Sequence, residues 1–105
     1  MLVRDKVGQE IARAIEEVDD SSCEVVRLNN DDFFEAIISK IKSEIDVLQG
    51  TKSIDSLAEI IELVDWIQVA LGTTDMIDVI EHRAEKLGLY WQKYYIKNKE
   101  PEEND

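Results

Sequence analysis

Fifteen residues in the middle of the chain, Leu57–Leu71, read LAEIIELVDWIQVAL. The spacing predicts a helix, but one with no broad polar face. A helix of that kind is normally buried on several sides. A chain of 105 residues buries only about two-thirds of its unfolded surface, so it has little material with which to surround such a helix. The expectation is a homodimer in which a second copy completes the burial.

The remaining elements follow from periodicity and breakers. Val7, Ile11, Ala14, Ile15 and Val18 recur at spacings of three and four and predict a helix from about Lys6 to Val18, broken by Asp19-Asp20-Ser21-Ser22. Cys23 to Leu28 alternates weakly, with a short extended segment or strand expected near residues 24–28. Asn30 or Asp31 then caps a long amphipathic helix to about Leu48, striped by Phe34, Ile37, Ile38, Ile41, Ile45 and Leu48, with Gly50 as its C-terminal cap. Ser53 or Asp55 starts the apolar helix, which ends at Gly72. Thr73 or Thr74 caps a fourth, Asp75 to Leu87, closed by Gly88. The short connection between the second and third helices makes them antiparallel neighbours. The expected fold is all-α: four helices in one domain over residues 1–97, with an acidic, disordered tail at 98–105 that holds the single proline.

Charge narrows the partners. With 12 Lys and Arg against 24 Asp and Glu the net charge is −12, a field that repels phosphate backbones and anionic lipid. Neither nucleic-acid nor membrane-surface binding is expected. The single cysteine, Cys23, excludes an intrachain disulfide framework and suits a reducing compartment. No apolar run approaches a membrane span and the N-terminus has no hydrophobic signal region. A soluble, cytoplasmic protein is expected.

One local imbalance stands out. Lys and Arg are absent between Lys52 and Arg83, where Asp55, Glu59, Glu62, Asp65, Asp75, Asp78 and Glu81 all fall. On a wheel with Leu57 at zero, the apolar direction centres near ~330°, with Glu59 at about 200°, Glu62 at about 140°, Asp65 at about 80° and Gln68 at about 20°. The last three drift from the polar side into the apolar face. On the preceding helix Glu44 falls at the margin of the apolar stripe, while Asp46 points to solvent. Carboxylates removed from water need a partner. With no basic residue nearby in sequence, convergent acids either protonate or bind a divalent cation, and oxygen ligands favour Mg²⁺ or Mn²⁺. The competing reading is a solvated acidic face, common on helices of acidic proteins.

Four stretches carry a resemblance to a known family: LVRDKV at the start, VVRLNNDDFFEAIISKIKSEIDVL, IELVDWIQVAL, and RAEKLGLYWQKY. In that order, over residues 2 to about 96, they resemble the all-α nucleoside-triphosphate pyrophosphohydrolases of the MazG superfamily, and more narrowly the phosphoribosyl-ATP-pyrophosphohydrolase-like branch. The resemblance implies a helical-bundle homodimer that cleaves a nucleoside triphosphate between the α and β phosphates, giving a monophosphate and pyrophosphate, with non-standard nucleotides among the candidate substrates. It implies Mg²⁺ held by an E-E-x-x-E helix and an E-x-x-D helix. The first motif aligns with Ser43-Glu44-Ile45-Asp46-Val47, where Ser43 and Val47 replace acids. The second matches Glu62-Leu63-Val64-Asp65; an alternative register uses Ser56 and Glu59. The implied metal ligands are Glu44, Glu62 and Asp65, with Glu44 or Glu62 also catalytic. The segment between the third and fourth helices is shorter than usual for the family. With an incomplete ligand set, the alternative is a catalytically degenerate relative: a dimer that binds a nucleotide or a protein.

Arg4 and Lys6 are candidate phosphate contacts beside the first helix, against an ordinary solvated terminus with Asp5 as helix cap. Lys86 has the same two readings. His82 is a lone surface histidine, Cys23 a small apolar filler, and Trp66, Tyr90 and Trp91 belong to a core or interface before they belong to a base-stacking site.

Overall fold

The computed structural model describes residues 1–19, 22–73 and 76–99. Among these the only regular elements are four helices: α1 (Gly8–Asp19), α2 (Asn30–Thr51), α3 (Ile54–Leu71) and α4 (Ile77–Leu87). The all-α expectation holds. The chain divides into two compact units, Met1–Thr74 and Asp75–Asp105.

The first unit is built on the α2–α3 hairpin, the one pair of helices in extended contact among the described residues. Their connection is only Lys52-Ser53, so the two run antiparallel, as expected. Ile37 of α2 is fully buried and Leu63 of α3 is 6% exposed. These two side chains are the centre of the core. Phe33 and Trp66 add an edge-to-face aromatic contact between the helices, 6.5 Å between ring centroids.

The ends of α2 differ from the sequence expectation for identifiable reasons. Asn29, not Asn30 or Asp31, is the N-cap, and its side-chain oxygen accepts from the Asp32 backbone N–H at 2.8 Å. The helix runs through Gly50. Thr51 Oγ1 donates to the Val47 carbonyl at 2.8 Å and accepts from the Ser53 N–H at 3.2 Å. Lys52 then takes the left-handed turn, φ 54°, with its N–H on the Leu48 carbonyl at 2.7 Å. A side chain in that conformation is strained relative to glycine. Lys52→Gly is therefore expected to stabilise the unit by about 0.5–1 kcal/mol, read as a higher urea midpoint with unchanged slope; a lower midpoint would contradict it.

α1 begins at Gly8 rather than Lys6. The Val7 N–H turns back to the Arg4 carbonyl at 3.3 Å, and the Ile11 N–H donates to the Val7 carbonyl at 3.0 Å. Gly8 is buried where the N-terminal segment and the 22–28 connection meet: a Cβ there would lie 3.2 Å from Val3 Cγ2 and 3.5 Å from Val25 Cγ1. Residues 24–28 form an irregular connection, and the expected strand is not among the described elements. The Cys23 N–H ties it to α1 by donating to Glu16 Oε1 at 2.9 Å. Asp20 and Ser21 of the expected break lie outside the described residues.

α3 carries its apolar residues on two faces. Ser56 and Leu63, both buried, centre near ~250° on the wheel and face α2. A second stripe, Ile54, Leu57, Ile61, Val64, Gln68 and Leu71, repeats at intervals of three and four around ~10°, the spacing of a coiled-coil seam. Ile54 is 82% exposed, Ile61 58% and Leu71 59%. The expected inward position of Asp65 is corrected here. It sits beside this open seam and is exposed, because the face buried in the single chain lies well round the helix from the one inferred.

In the second unit α4 follows Met76 and is closed by Gly88 at φ 83°. Of the two expected caps, Thr73 does not serve, because Met76 holds the N-cap position; Thr74 and the expected start at Asp75 lie outside the described residues. Residues 89–99 are not helical, and Tyr90, Trp91, Tyr94 and Tyr95 are exposed. Residues 100–105 of the expected tail lie outside the described residues.

Candidate acidic groove

The hairpin sets two helices of opposite direction at fixed heights. Glu44 stands eight residues before Lys52 and Glu62 nine after Ser53. At ~1.5 Å per residue both lie about 12–14 Å from the turn. They line one groove of about 990 Å³, and Glu59 and Asp55 line it too. The opposite wall is the N-terminal segment, which brings Arg4 and Lys6, while Lys40 of α2 supplies a third cation. Glu44, Lys40 and Glu59 are half-buried.

Of the residues singled out in the sequence, the structure thus brings together Glu44, Glu59, Glu62, Arg4 and Lys6, with Asp5 and Trp66 also lining the groove. Asp65 does not line the groove. Lys86 and His82 are exposed on α4 in the second unit. Cys23 is half-buried and lines a separate apolar cavity beside α1. Two groove residues were missed. Lys40 lies four before Glu44, hence on the same helix face, and Asp55 lies four before Glu59; helical spacing alone could have found both.

The sequence also left the acids of α3 without a basic partner, and the structure corrects this. Arg4 Nη1 donates to Glu62 Oε1 at 3.1 Å, Nη2 donates to the other Glu62 oxygen, and Nη2 also reaches Glu59 Oε2 at 2.5 Å. Glu59 and Glu62 are three apart on one face, so a single planar guanidinium spans both. The partner was hidden because it lies 58 residues away in the chain.

The pairing shifts both partners. Hydrogen bonds from Arg4, reinforced by its charge and opposed by burial, hold the Glu62 carboxyl below its ordinary value of 4.5. Hydrogen bonds to Glu62 and Glu59 raise the Arg4 guanidinium. A depressed carboxyl contributes stability that is present above its unfolded pKa and lost as pH falls through the lower folded value. Carboxyl-detected NMR should show Glu62 titrating below the ordinary glutamate value, and Arg4→Ala should return it to the ordinary range. An unchanged Glu62 titration in Arg4→Ala would refute the assignment.

All acidic donors here are carboxylate oxygens, which by chemistry suit a hard cation such as Mg²⁺ or Mn²⁺. The arrangement does not. Among the described residues no three aspartate, glutamate, histidine or cysteine side chains are grouped to hold a metal ion, and Arg4 already occupies two of the acids. Compared with known families, curated proteins and solved structures, the chain matches none. No described helix is long and apolar enough to cross a membrane.

Proposed function

We propose that the chain is a nucleoside-triphosphate pyrophosphohydrolase of the MazG-like kind, acting as a homodimer in the cytoplasm, with Mg²⁺ arriving on the triphosphate rather than held by the protein's carboxylates alone. The observation that carries this is the groove, where Glu44 of α2 and Glu59 and Glu62 of α3 face Arg4, Lys6 and Lys40. A triphosphate needs both halves of such a site: cations for its oxygens and carboxylates for water. Lys6 and Lys40 would neutralise phosphate charge. Glu44, half-buried beside Lys40, would orient or deprotonate the attacking water. The metal, when bound, would supply charge neutralisation at the phosphates. The ordered resemblance over residues 2 to about 96 supports the same reading, as does the open seam on α3, which a second copy would cover.

Incubation with Mg²⁺ and a panel of standard and modified triphosphates should yield monophosphate and pyrophosphate, without orthophosphate. Glu44→Gln and Glu62→Gln should each lower turnover by about 10²-fold or more. Release of orthophosphate, or full activity in both variants, would sink the reading.

One observation favours the alternative, a non-catalytic dimer that binds a nucleotide or a protein: Arg4 satisfies acids that a catalyst would keep for metal. Nucleotide binding without turnover across the panel would select it.

A further inference from the structure

We propose that the non-helical arm after α4, residues 89–99, docks on α3 of a second copy of this chain, along the flank beside the seam where Asp55, Asp65 and Val69 are exposed. The inference rests on the homodimer of the proposed function and adds a second, reciprocal contact to it.

The arm offers an apolar surface with nothing to cover it in its own unit. Tyr90, Trp91, Tyr94, Tyr95 and Ile96 are 82–95% exposed, and the second unit buries no side chain among its described residues. Apolar side chains clustered so openly mark an interaction site rather than a scatter of surface residues. Four aromatic side chains offer about 600–1,000 Å² between them. One side of a stable protein interface needs about 800 Å².

Charge selects the occupant. Residues 86–99 hold four lysines, Lys86, Lys93, Lys97 and Lys99, and no acid, in a chain of net charge −12. α3 holds four acids and no base. Arg4 takes Glu59 and Glu62, and among the described residues the ion pairs are those of Arg4 alone. The other two acids, Asp55 and Asp65, are exposed. Ile61 and Val69, both exposed, stand four residues either side of Asp65, so the acid sits in an apolar surround that suits aromatic side chains. The spacing agrees. Asp55 and Asp65 lie ~15 Å apart along the axis of α3, and Lys93 and Lys97 up to about 14 Å apart along extended chain. Two copies of so acidic a chain repel each other. A dimer therefore gains from opposite charge where it closes, and the arm carries that charge with no acid among its lysines. The same net charge disfavours a lipid surface or a nucleic acid as the occupant.

The test is sedimentation equilibrium of the full chain with two charge-reversed forms. One carries Lys93→Glu and Lys97→Glu, the other Asp55→Lys and Asp65→Lys. Each form alone should dimerise at least tenfold more weakly than wild type, because its arm and its α3 then carry like charge. An equimolar mixture should recover a heterodimer within about threefold of the wild-type affinity, because each arm again meets opposite charge on the other copy. Trp91→Ala with Tyr94→Ala should also weaken the dimer at least tenfold, which tests the apolar half without altering charge or α3. Wild-type affinity in all three forms overturns the arm contact. So does weakening without recovery on mixing, the result expected of an arm that lies on its own chain. Binding to phosphatidylserine vesicles or to a single-stranded oligonucleotide that is lost in the Lys93→Glu, Lys97→Glu form, with dimerisation unchanged, assigns the arm to a polyanion and overturns it too. The readings fail separately. A dimer that Ile61→Glu dissociates and the arm variants do not keeps the homodimer and removes the arm. Wild-type protein at single-chain mass removes both. Recovery on mixing without pyrophosphate release keeps the arm and removes the enzyme.

Discussion

Ile37→Ala is expected to destabilise the first unit by about 2–5 kcal/mol, a large part of the stability of a small domain. Ile37 is fully buried and sits in the core of the α2–α3 hairpin, so its truncation leaves a cavity. Chemical denaturation followed by circular dichroism would show the midpoint fall. Ile45→Ala, one apolar side chain removed from the same helix but 48% exposed in the single chain, should cost far less. Equal losses at the two positions would mean that the core does not lie where the hairpin places it.

Light scattering of the wild-type protein at micromolar concentration is expected to give about twice the chain mass, and Ile61→Glu about once. The seam on α3 explains the size of the effect. Ile54, Leu57, Ile61, Val64 and Leu71 form one stripe, with Gln68 as its single polar member, and a polar residue at such a position sets register at some expense of stability. A charge at Ile61 would be buried without a partner against the same charge on the second copy. Because Ile61 is exposed within one chain, the variant should retain its helical signal. Wild-type protein at single-chain mass, unaltered by Ile61→Glu, would leave the seam without an occupant.

How much of this was legible in the sequence depends on the range of the forces involved. Helix existence and type were legible, because apolar spacing and breakers act within a few residues. So was the hairpin: a short connection permits no other arrangement. The ends of α2 were not, because Thr51 and Lys52 closed the helix through local bonds that a rule about Gly50 ignores. The direction of α3 was misread for a related reason. A mean apolar direction near ~330° is an average of two faces, one against α2 and one open, and a wheel cannot separate them. Glu44, Glu59 and Glu62 were found on the correct helices from sequence, whereas the partner of the last two was out of reach of any local rule. Arg4 meets them only because the chain folds its first residues back across α3.

The two-residue link between α2 and α3 has a consequence for how this chain can vary. One residue inserted between Lys52 and Ser53 would turn α3 by ~100° and slide it by ~1.5 Å if the helix kept its contact. Glu59 and Glu62 would leave the groove, and Ile61 and Val64 would lose their alignment in the seam. A deletion would strain the left-handed turn that Lys52 already takes. Relatives that keep this architecture should therefore differ in length on either side of α1 or after Gly88, and hold the Lys52-Ser53 link at two residues.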